Sequence, residues 1–227
     1  MAEVFTTEEH PLPAVVLHWC HLVSFITLAV TGLVIYYAPN MWNIEVFRNF
    51  HFVMMFVFFY TTIIRIYWAF FGKGSANTGK TTVVPDYKHF SPEAANKGKL
   101  MEWVKYYTFL SKYKPTTSKY GTLQKLSYAV IFPVLIFLMA LTGFSLWEPT
   151  QPYLMWFINL FSSLDVLRTV HLLGCWAMLC VFLIHIYLVL FEEPGQAATM
   201  LFRFIPSRHR KAGTAGASGA VAGAAKD

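Results

Sequence analysis

The sequence predicts an all-α integral membrane protein, a bundle of four transmembrane helices with both termini in the cytoplasm. Hydrophobic residues make up 56% of the 227-residue chain, charged residues 13%, and the mean hydropathy is +0.46. These values are typical of membrane proteins rather than soluble domains. Four apolar stretches are long enough to cross about 30 Å of hydrocarbon. They run approximately over residues 15–37, 50–71, 126–147 and 166–191.

The distribution of basic residues predicts the orientation of these helices. Lysine is concentrated in the connection 72–125, and basic residues recur after residue 192. The connections 38–49 and 148–165 contain Arg48 as their only basic residue. Cytoplasmic connections carry the excess of lysine and arginine, so both termini and the long connection are expected inside. The net charge of +6 therefore indicates orientation and no nucleic-acid partner.

The chain is predicted to form one domain. Residues 1–206 make up the four-helix domain, and residues 207–227 form a Gly/Ala-rich, low-complexity tail that is expected to be disordered. Within the long connection, residues 73–85 predict a flexible loop and residues 93–113 an amphipathic helix on the inner surface. Residues 152–164 are apolar but too short to span, which indicates an interfacial segment on the outer side.

Histidines inside the predicted spans are the main functional signal. His171 and His185 lie fourteen residues apart in a stretch that contains no Asp, Glu, Lys or Arg. On a helix they are about 21 Å apart along the axis and point to nearly the same face. Ionisable side chains inside a bilayer are costly and mark functional sites. Two such imidazoles, one towards each surface, suit two metal centres, and haem is the candidate.

The direction of each helix assigns the histidines to two depths. His18 and His21 lie near the inner surface and His51 near the outer one, whereas His171 is outer and His185 inner. His51 therefore pairs with His171 outside, and His185 pairs with His18 or His21 inside. Three residues leave both candidates on one side of the helix, so the face does not choose between them. Two bis-imidazole sites predict two b haems held between facing helices.

An arginine accompanies each outer histidine. Arg48 precedes His51 by three residues, and Arg168 precedes His171 by three residues. Each arginine is expected one turn further outward on the face of its histidine. A haem propionate in this position would need a cation, so both arginines are predicted to bind the outer cofactor.

Two more residues are predicted to bind the cofactors by their helical spacing. Gly32 lies fourteen residues after His18 and is expected to leave room for a porphyrin at the outer level. Arg65 lies fourteen residues after His51 and reaches the inner level, where it is a candidate partner for the inner propionates. The pair Thr142-Gly143 in the third span repeats Thr31-Gly32 in the first at similar depth.

Five phrases of the sequence resemble the b-type cytochrome subunits of membrane-bound nickel–iron hydrogenases and the related gamma subunits of formate dehydrogenases. They cover all four helices: LHWCHLVSFITLAVTGL (17–33), RNFHF (48–52), RIYWAFFG (65–72), LQKLSYAVIFPVLIFLMALTG (123–143) and RTVHLLGCWAMLCVFLIHIY (168–187). The resemblance implies that the His of the HW pair is a ligand, which favours His18 over His21. It also implies the pairs His51–His171 and His18–His185, each with one haem b, iron protoporphyrin IX.

The resemblance also implies a function and partners. A periplasmic iron–sulfur small subunit and a catalytic large subunit would exchange electrons with the membrane quinone pool, menaquinone or ubiquinone, through this chain. Its place would be the cytoplasmic membrane of a bacterium or archaeon, in contact with lipid. The direction of electron flow, a quinone-reduction site of its own and a higher-order oligomer of the complex stay open. Residues 119–128 read KYGTLQKLSY where the family often has Gly-His-Asn. A formate dehydrogenase, thiosulfate reductase or other molybdopterin oxidoreductase is therefore an alternative partner.

Two other classes of protein predict different features. A histidine-based metal or proton transporter would place carboxylates within the spans, and the predicted spans hold no Asp or Glu. A plain membrane anchor with structural histidines differs from a cytochrome only in its haem content.

Overall fold

Four long helices form the body of the protein. The structure, a computed structural model, describes residues 10–75, 83–89, 98–115, 122–192 and 194–202. Within these residues, four helices are long and apolar enough to cross a membrane. These helices are α1 (Leu12–Tyr37), α2 (Ile44–Phe71), α3 (Phe132–Leu146) and α4 (Leu164–Tyr187). A π-helical turn extends each of the last two, so that the spanning segments are Ser127–Leu146 and Leu164–Phe191. The prediction of an all-α membrane protein with four spans is confirmed. The predicted tail 207–227 lies outside the described residues.

The spanning helices pack as two helical hairpins. The most extensive contacts join α1 to α2 and α3 to α4, and α1 also contacts α4. Large apolar side chains on the outside of each helix stay exposed, such as Val53 at 56% and Leu183 at 65%. Surfaces of this kind mark contact with a membrane or a partner, and lipid is the partner of these exposed helix faces.

Small hydroxyl side chains fill the contacts between the helices. Ser24, Thr142 and Ser145 have no exposed surface, and Thr31 is 5% exposed. Each hydroxyl donates to the carbonyl four residues earlier, as Ser145 does to Leu141 at 2.7 Å. Small polar residues bonded in this way let helices approach closely without leaving a polar atom unsatisfied in hydrocarbon.

A wider turn precedes α3. Residues 122–126 form a short α-helix, and Ser127–Ile131 continue it as one π-helical turn into α3. Pro133, at the start of α3, has no backbone N–H, so the regular ladder of hydrogen bonds cannot pass through this point. The π turn moves Tyr128 to a position beside α4, and turns of this kind are frequent at functional sites.

The long connection between α2 and α3 contains more structure than its sequence suggests. Lys73–Ser75 and Val83–Pro85 pair as two antiparallel strands, so the prediction of a flexible loop over 73–85 is wrong at both its ends. The amphipathic helix predicted over 93–113 covers only Leu100–Tyr107, and residues 93–97 lie outside the described part of the chain. Residues 108–113 are not helical, because Phe109 has a φ of 60°, which a right-handed helix cannot continue. Trp103 of this helix is only 4% exposed.

The two ends of the bundle are named outer and inner after the orientation that the sequence predicts. The connection between α3 and α4, at the outer end, folds back onto the helices. It forms a 3₁₀-helix over Glu148–Leu154 and a short α-helix over Met155–Ile158. Phe157 and Ile158 are buried against Leu167, which has no exposed surface. This connection therefore packs into the core at the outer end of the bundle and does not only lie along the membrane surface.

The orientation of the helices can be tested with reporter fusions. Alkaline phosphatase should be active when fused after Asn40 or Leu160, because it folds only outside the cytoplasm. Green fluorescent protein should fluoresce after Lys88 or Phe202, because the positive-inside rule places these connections in the cytoplasm. Each position should be tested with both reporters as matched controls. Phosphatase activity after Lys88 or Phe202 would contradict the predicted orientation.

Candidate functional site

A large cavity opens between the two hairpins at the outer end of the bundle. It has a volume of about 660 Å³, and its walls include His51 of α2 and His171 of α4. The two imidazoles are near enough to interact electrostatically. Most of the remaining wall is apolar or aromatic, and it includes Phe58, Met139 and Phe144. Cavities of about 300–1,000 Å³ with apolar walls and few convergent polar groups are typical of ligand sites.

Two glycines bring the histidine rings close to the helix backbones. A Cβ atom added at Gly32 would lie 3.2 Å from Cε1 of His51, and one added at Gly143 would lie 3.2 Å from Cε1 of His171. Such contacts are tighter than side chains normally accept. Gly32 lines the cavity as predicted, but its missing side chain makes room for the His51 ring itself.

Two threonines anchor the same histidine rings. Thr31 Oγ1 lies 2.9 Å from Nδ1 of His51, and Thr142 Oγ1 lies 2.7 Å from Nδ1 of His171. Each threonine already donates its hydroxyl hydrogen within its own helix, Thr31 to the Thr27 carbonyl at 2.6 Å. The oxygen is then left to accept from Nδ1–H. This assigns the proton to Nδ1 and leaves Nε2 of both histidines as a free metal-binding lone pair.

Two arginines line the cavity close to solvent. The side chains of Arg48 and Arg168 are 44% and 57% exposed, so they lie at its mouth. Arg48 Nη1 binds Glu45 at 2.5 Å, and Arg168 Nη1 binds Asp165 at 2.5 Å. Exposed ion pairs of this kind add little stability, but they orient the two guanidinium groups. A cofactor with carboxylates at its edge would find two cations there.

The inner end of the bundle holds the second pair. His18 and His185 are near enough to interact electrostatically. Nδ1 of His185 lies 3.2 Å from the hydroxyl oxygen of Tyr128, on the π turn before α3. Nδ1 of His18 is buried and has no hydrogen-bond partner among the described residues. A smaller cavity of about 60 Å³ lies beside His185 and Tyr128.

His21 differs from His18 in its contacts. Its Nδ1 lies 2.7 Å from the Leu17 carbonyl and its Nε2 lies 3.1 Å from Thr62 Oγ1. Its ring also packs edge-on against Phe58, with 5.1 Å between the ring centres. Both ring nitrogens of His21 are therefore engaged, which favours His18 as the inner metal ligand. The sequence left this choice open on helical face alone.

Arg65 lies at the inner level as its spacing from His51 predicts. Its guanidinium is near enough to His21 to interact electrostatically. One turn further on, Trp68 packs against Gly72, where an added Cβ would lie 2.5 Å from the indole ring. Because Gly72 has no side chain, the backbone at the end of α2 can lie directly against the indole ring of Trp68.

Sequence reasoning missed three sets of contacts. The Thr31 and Thr142 bonds to histidine, the acidic partners of the arginines and the Tyr128 contact were not predicted. A signal for the acidic partners is present, because Glu45 and Asp165 precede their arginines by three residues. The spacing Glu/Asp-x-x-Arg-x-x-His thus occurs once in each hairpin.

Four apolar helices with histidines at two levels and a cavity between the hairpins are features of membrane proteins that bind a cofactor inside a helical bundle. The family model described as prokaryotic cytochrome b561 matches residues 9–207, and the chain belongs to this family. It is a multi-pass membrane cytochrome b, a haem b protein that transfers electrons. This confirms the resemblance to b-type cytochrome subunits.

The chain is also similar to several cytochrome subunits of bacteria. A probable Ni/Fe-hydrogenase B-type cytochrome subunit of Rhizobium leguminosarum bv. viciae is 28% identical over 198 residues, which cover 80% of this chain and 79% of the relative. The subunit of the same description in Cupriavidus necator is 25% identical and covers 82% of this chain and 80% of the relative. That of Azotobacter vinelandii is 27% identical, with 78% and 77% covered.

The outer cavity fits a haem b on its own geometry. It offers two imidazole Nε2 atoms from separate helices, apolar walls for the macrocycle and guanidinium groups at the mouth for the propionates. The clearances at Gly32 and Gly143 and the bonds at Nδ1 fix the positions of the two imidazoles.

The two glycines give a direct test of this cavity. Gly32→Val and Gly143→Val should each lower the haem content of the purified chain, because the new side chain displaces His51 or His171. Overpacking of this kind costs about 1–3 kcal/mol. Gly32→Ala and Gly143→Ala, which require a shift of only a few tenths of an ångström, serve as matched controls and should retain more haem. Full haem content in both valine variants would contradict the proposed position of the rings.

Proposed function

We propose that this chain is the di-haem membrane subunit of a Ni/Fe-hydrogenase complex and carries electrons between a catalytic partner outside the membrane and the quinone pool. His51 with His171 hold the outer haem, and His18 with His185 hold the inner one. The complex lies in the cytoplasmic membrane of a bacterium, with both termini of this chain inside.

One observation carries the proposal: at both ends of the same bundle, a histidine of one helix lies within electrostatic range of a histidine of another helix. The outer pair shares one cavity, and the inner pair lies within electrostatic range. His171 and His185 stand on one helix about 21 Å apart, at 1.5 Å per residue. Cofactors at these two levels would let an electron cross the apolar core without charged side chains along the way.

The residues of the chain have separate tasks in this proposal. A haem bound by each pair supplies reversible one-electron chemistry. The imidazoles would hold the iron, and the apolar walls would exclude water. Arg48 and Arg168 would offer the N–H groups that do not bind Glu45 and Asp165 to carboxylates at the outer mouth. Axial ligands, nearby hydrogen bonds and burial are the means by which a protein sets a haem potential.

The inner end is proposed as the quinone site. His18, His185 and Arg65 lie at this level, close to the cytoplasmic surface. A quinone from the bilayer would approach the inner haem at this level, where the Arg65 guanidinium group is a candidate donor to its carbonyl oxygens. Menaquinone and ubiquinone both present carbonyl oxygens that such groups recognise, so the chemistry is common to both.

The names of the relatives favour a hydrogenase as the catalytic partner. Each of the three reported relatives is described as a probable Ni/Fe-hydrogenase B-type cytochrome subunit. The proposed partners are an iron–sulfur small subunit on the outer face and the catalytic large subunit that it serves. A nickel–iron protein that co-purifies with this chain would support the assignment, and a molybdenum or tungsten protein would contradict it.

Haem counting tests the two pairs. The purified chain should contain two haems b, and His171→Ala or His185→Ala should each remove one of them, because each variant loses one axial ligand. The double variant should contain none. Haem per chain is measured from the pyridine haemochrome spectrum, and the two α bands identify which haem is lost.

The two neighbouring histidines of α1 are a matched pair for this test. His18→Gln should lose the inner haem, whereas His21→Gln should retain both, because both nitrogens of His21 are engaged by Leu17 and Thr62. Retention of both haems in His18→Gln would contradict the proposed inner ligand.

Reduction by quinol tests the order of the sites. Decylubiquinol or a menaquinol analogue added to the purified chain should reduce haem b. In His171→Ala the remaining inner haem should still be reduced. In His185→Ala the remaining outer haem should be reduced at least tenfold more slowly, because the site next to the quinone is missing. Equal reduction rates in the two variants would contradict a quinone site at the inner end.

A further inference from the structure

We propose that Thr31 and Thr142 are positioning residues that fix both axial imidazoles of the outer site and lower its reduction potential. The inference rests on the proposed function, because it requires His51 and His171 to be the ligands of the outer haem. The proposal concerns the basicity of these two imidazoles, which neither the shape of the cavity nor membership of the family determines.

The two threonines contact their histidine rings in a similar way in both hairpins. Thr31 Oγ1 lies 2.6 Å from the Thr27 carbonyl and 2.9 Å from Nδ1 of His51. Thr142 Oγ1 lies 2.7 Å from the Leu138 carbonyl and 2.7 Å from Nδ1 of His171. Each hydroxyl donates its single hydrogen to that carbonyl, so its oxygen accepts from Nδ1–H of the imidazole. The His51 ring also bonds to the Leu28 carbonyl, which only accepts and so requires an N–H on the ring.

Burial strengthens these hydrogen bonds. Thr31 is 5% exposed and Thr142 has no exposed surface, so water does not compete for either hydroxyl. The adjacent Gly32 and Gly143 let each ring lie against the backbone that carries its threonine. Each Thr-Gly pair therefore forms a small cradle, with a hydroxyl to orient the ring and no Cβ to obstruct it.

The bond has a predictable effect on the ligand. An imidazole that donates from Nδ1 to an oxygen is more basic at Nε2. A more basic ligand stabilises the oxidised metal more than the reduced one. Loss of the hydroxyl should therefore raise the midpoint potential of the outer haem.

The inner site does not share this arrangement. His185 meets the phenol of Tyr128 at 3.2 Å, and Nδ1 of His18 has no partner among the described residues. Changes at the two threonines should therefore leave the inner haem unaffected, so each sample contains its own internal reference.

Redox titration of the purified chain in detergent tests the proposal. Thr31→Val and Thr142→Val keep the shape of the side chain and remove the hydroxyl. Each should raise the midpoint potential of the outer haem, identified as the one missing in His171→Ala, and the double variant should raise it by the sum of the two shifts. A tenfold change in the equilibrium corresponds to about 59 mV for a one-electron couple. Thr31→Ser and Thr142→Ser should stay close to wild type.

Two control variants separate this role from the loss of any hydroxyl. Thr27→Val removes a hydroxyl that donates to the Val23 carbonyl, one turn before Thr31. Ser145→Ala removes a fully buried hydroxyl that donates to the Leu141 carbonyl. Neither should move the outer potential. Loss of the outer haem in the valine variants but not in the serine variants would also support the role.

Three results would overturn the inference. The first is an unchanged or lowered outer potential in both valine variants. The second is an equal shift of both haems, which would indicate a general structural effect. The third is loss of the outer haem in the serine variants as well. The proposed function fails separately, if His171→Ala keeps two haems.

Discussion

The bilayer interior contains no water, so every polar atom within it must find its partner in the protein. This constraint governs the whole structure. The buried hydroxyls of Ser24 and Ser145 bond to their own helix, and those of Thr31 and Thr142 extend the same bond to a histidine ring. An imidazole satisfied in this way at Nδ1 keeps Nε2 for a metal. A cofactor site in hydrocarbon therefore requires that Nδ1 of each histidine ligand has a hydrogen-bond partner in the protein.

The outer site has an internal repeat that follows from the same constraint. Each hairpin contributes a Thr-Gly pair on its first helix and an acidic residue, an arginine and a histidine, three residues apart, on its second. The apolar cavity lies between these two equivalent halves. The arginines remain at the mouth, where water and an acidic neighbour satisfy them, whereas the histidines reach deeper. The inner end departs from the repeat, because a tyrosine from the π turn before Pro133 contacts His185 in place of a threonine.

The sequence predicts the spans and the depth of the histidines well, because apolar length and helical period are properties of one helix at a time. Contacts between helices depend on how each helix is rotated about its own axis and on the rotamers of its side chains. The helical period of the sequence predicts neither. The bond from Thr142 to His171 and the clearance at Gly32 belong to this second kind. His18 and His21 share one face in the sequence, and the contacts of His21 with Leu17 and Thr62 separate them in the structure. The strand pair beside residue 74 has no alternating apolar pattern, so the connection looked like a loop.

An experimental structure of the haem-loaded chain is the most direct measurement of the central claim. Density for two porphyrins is expected, one with iron bound to Nε2 of His51 and His171 and one with iron bound by His18 and His185. Both threonine hydroxyls should lie within hydrogen-bond distance of the outer Nδ1 atoms. A single porphyrin, or iron held by any other side chain, would contradict the two paired sites.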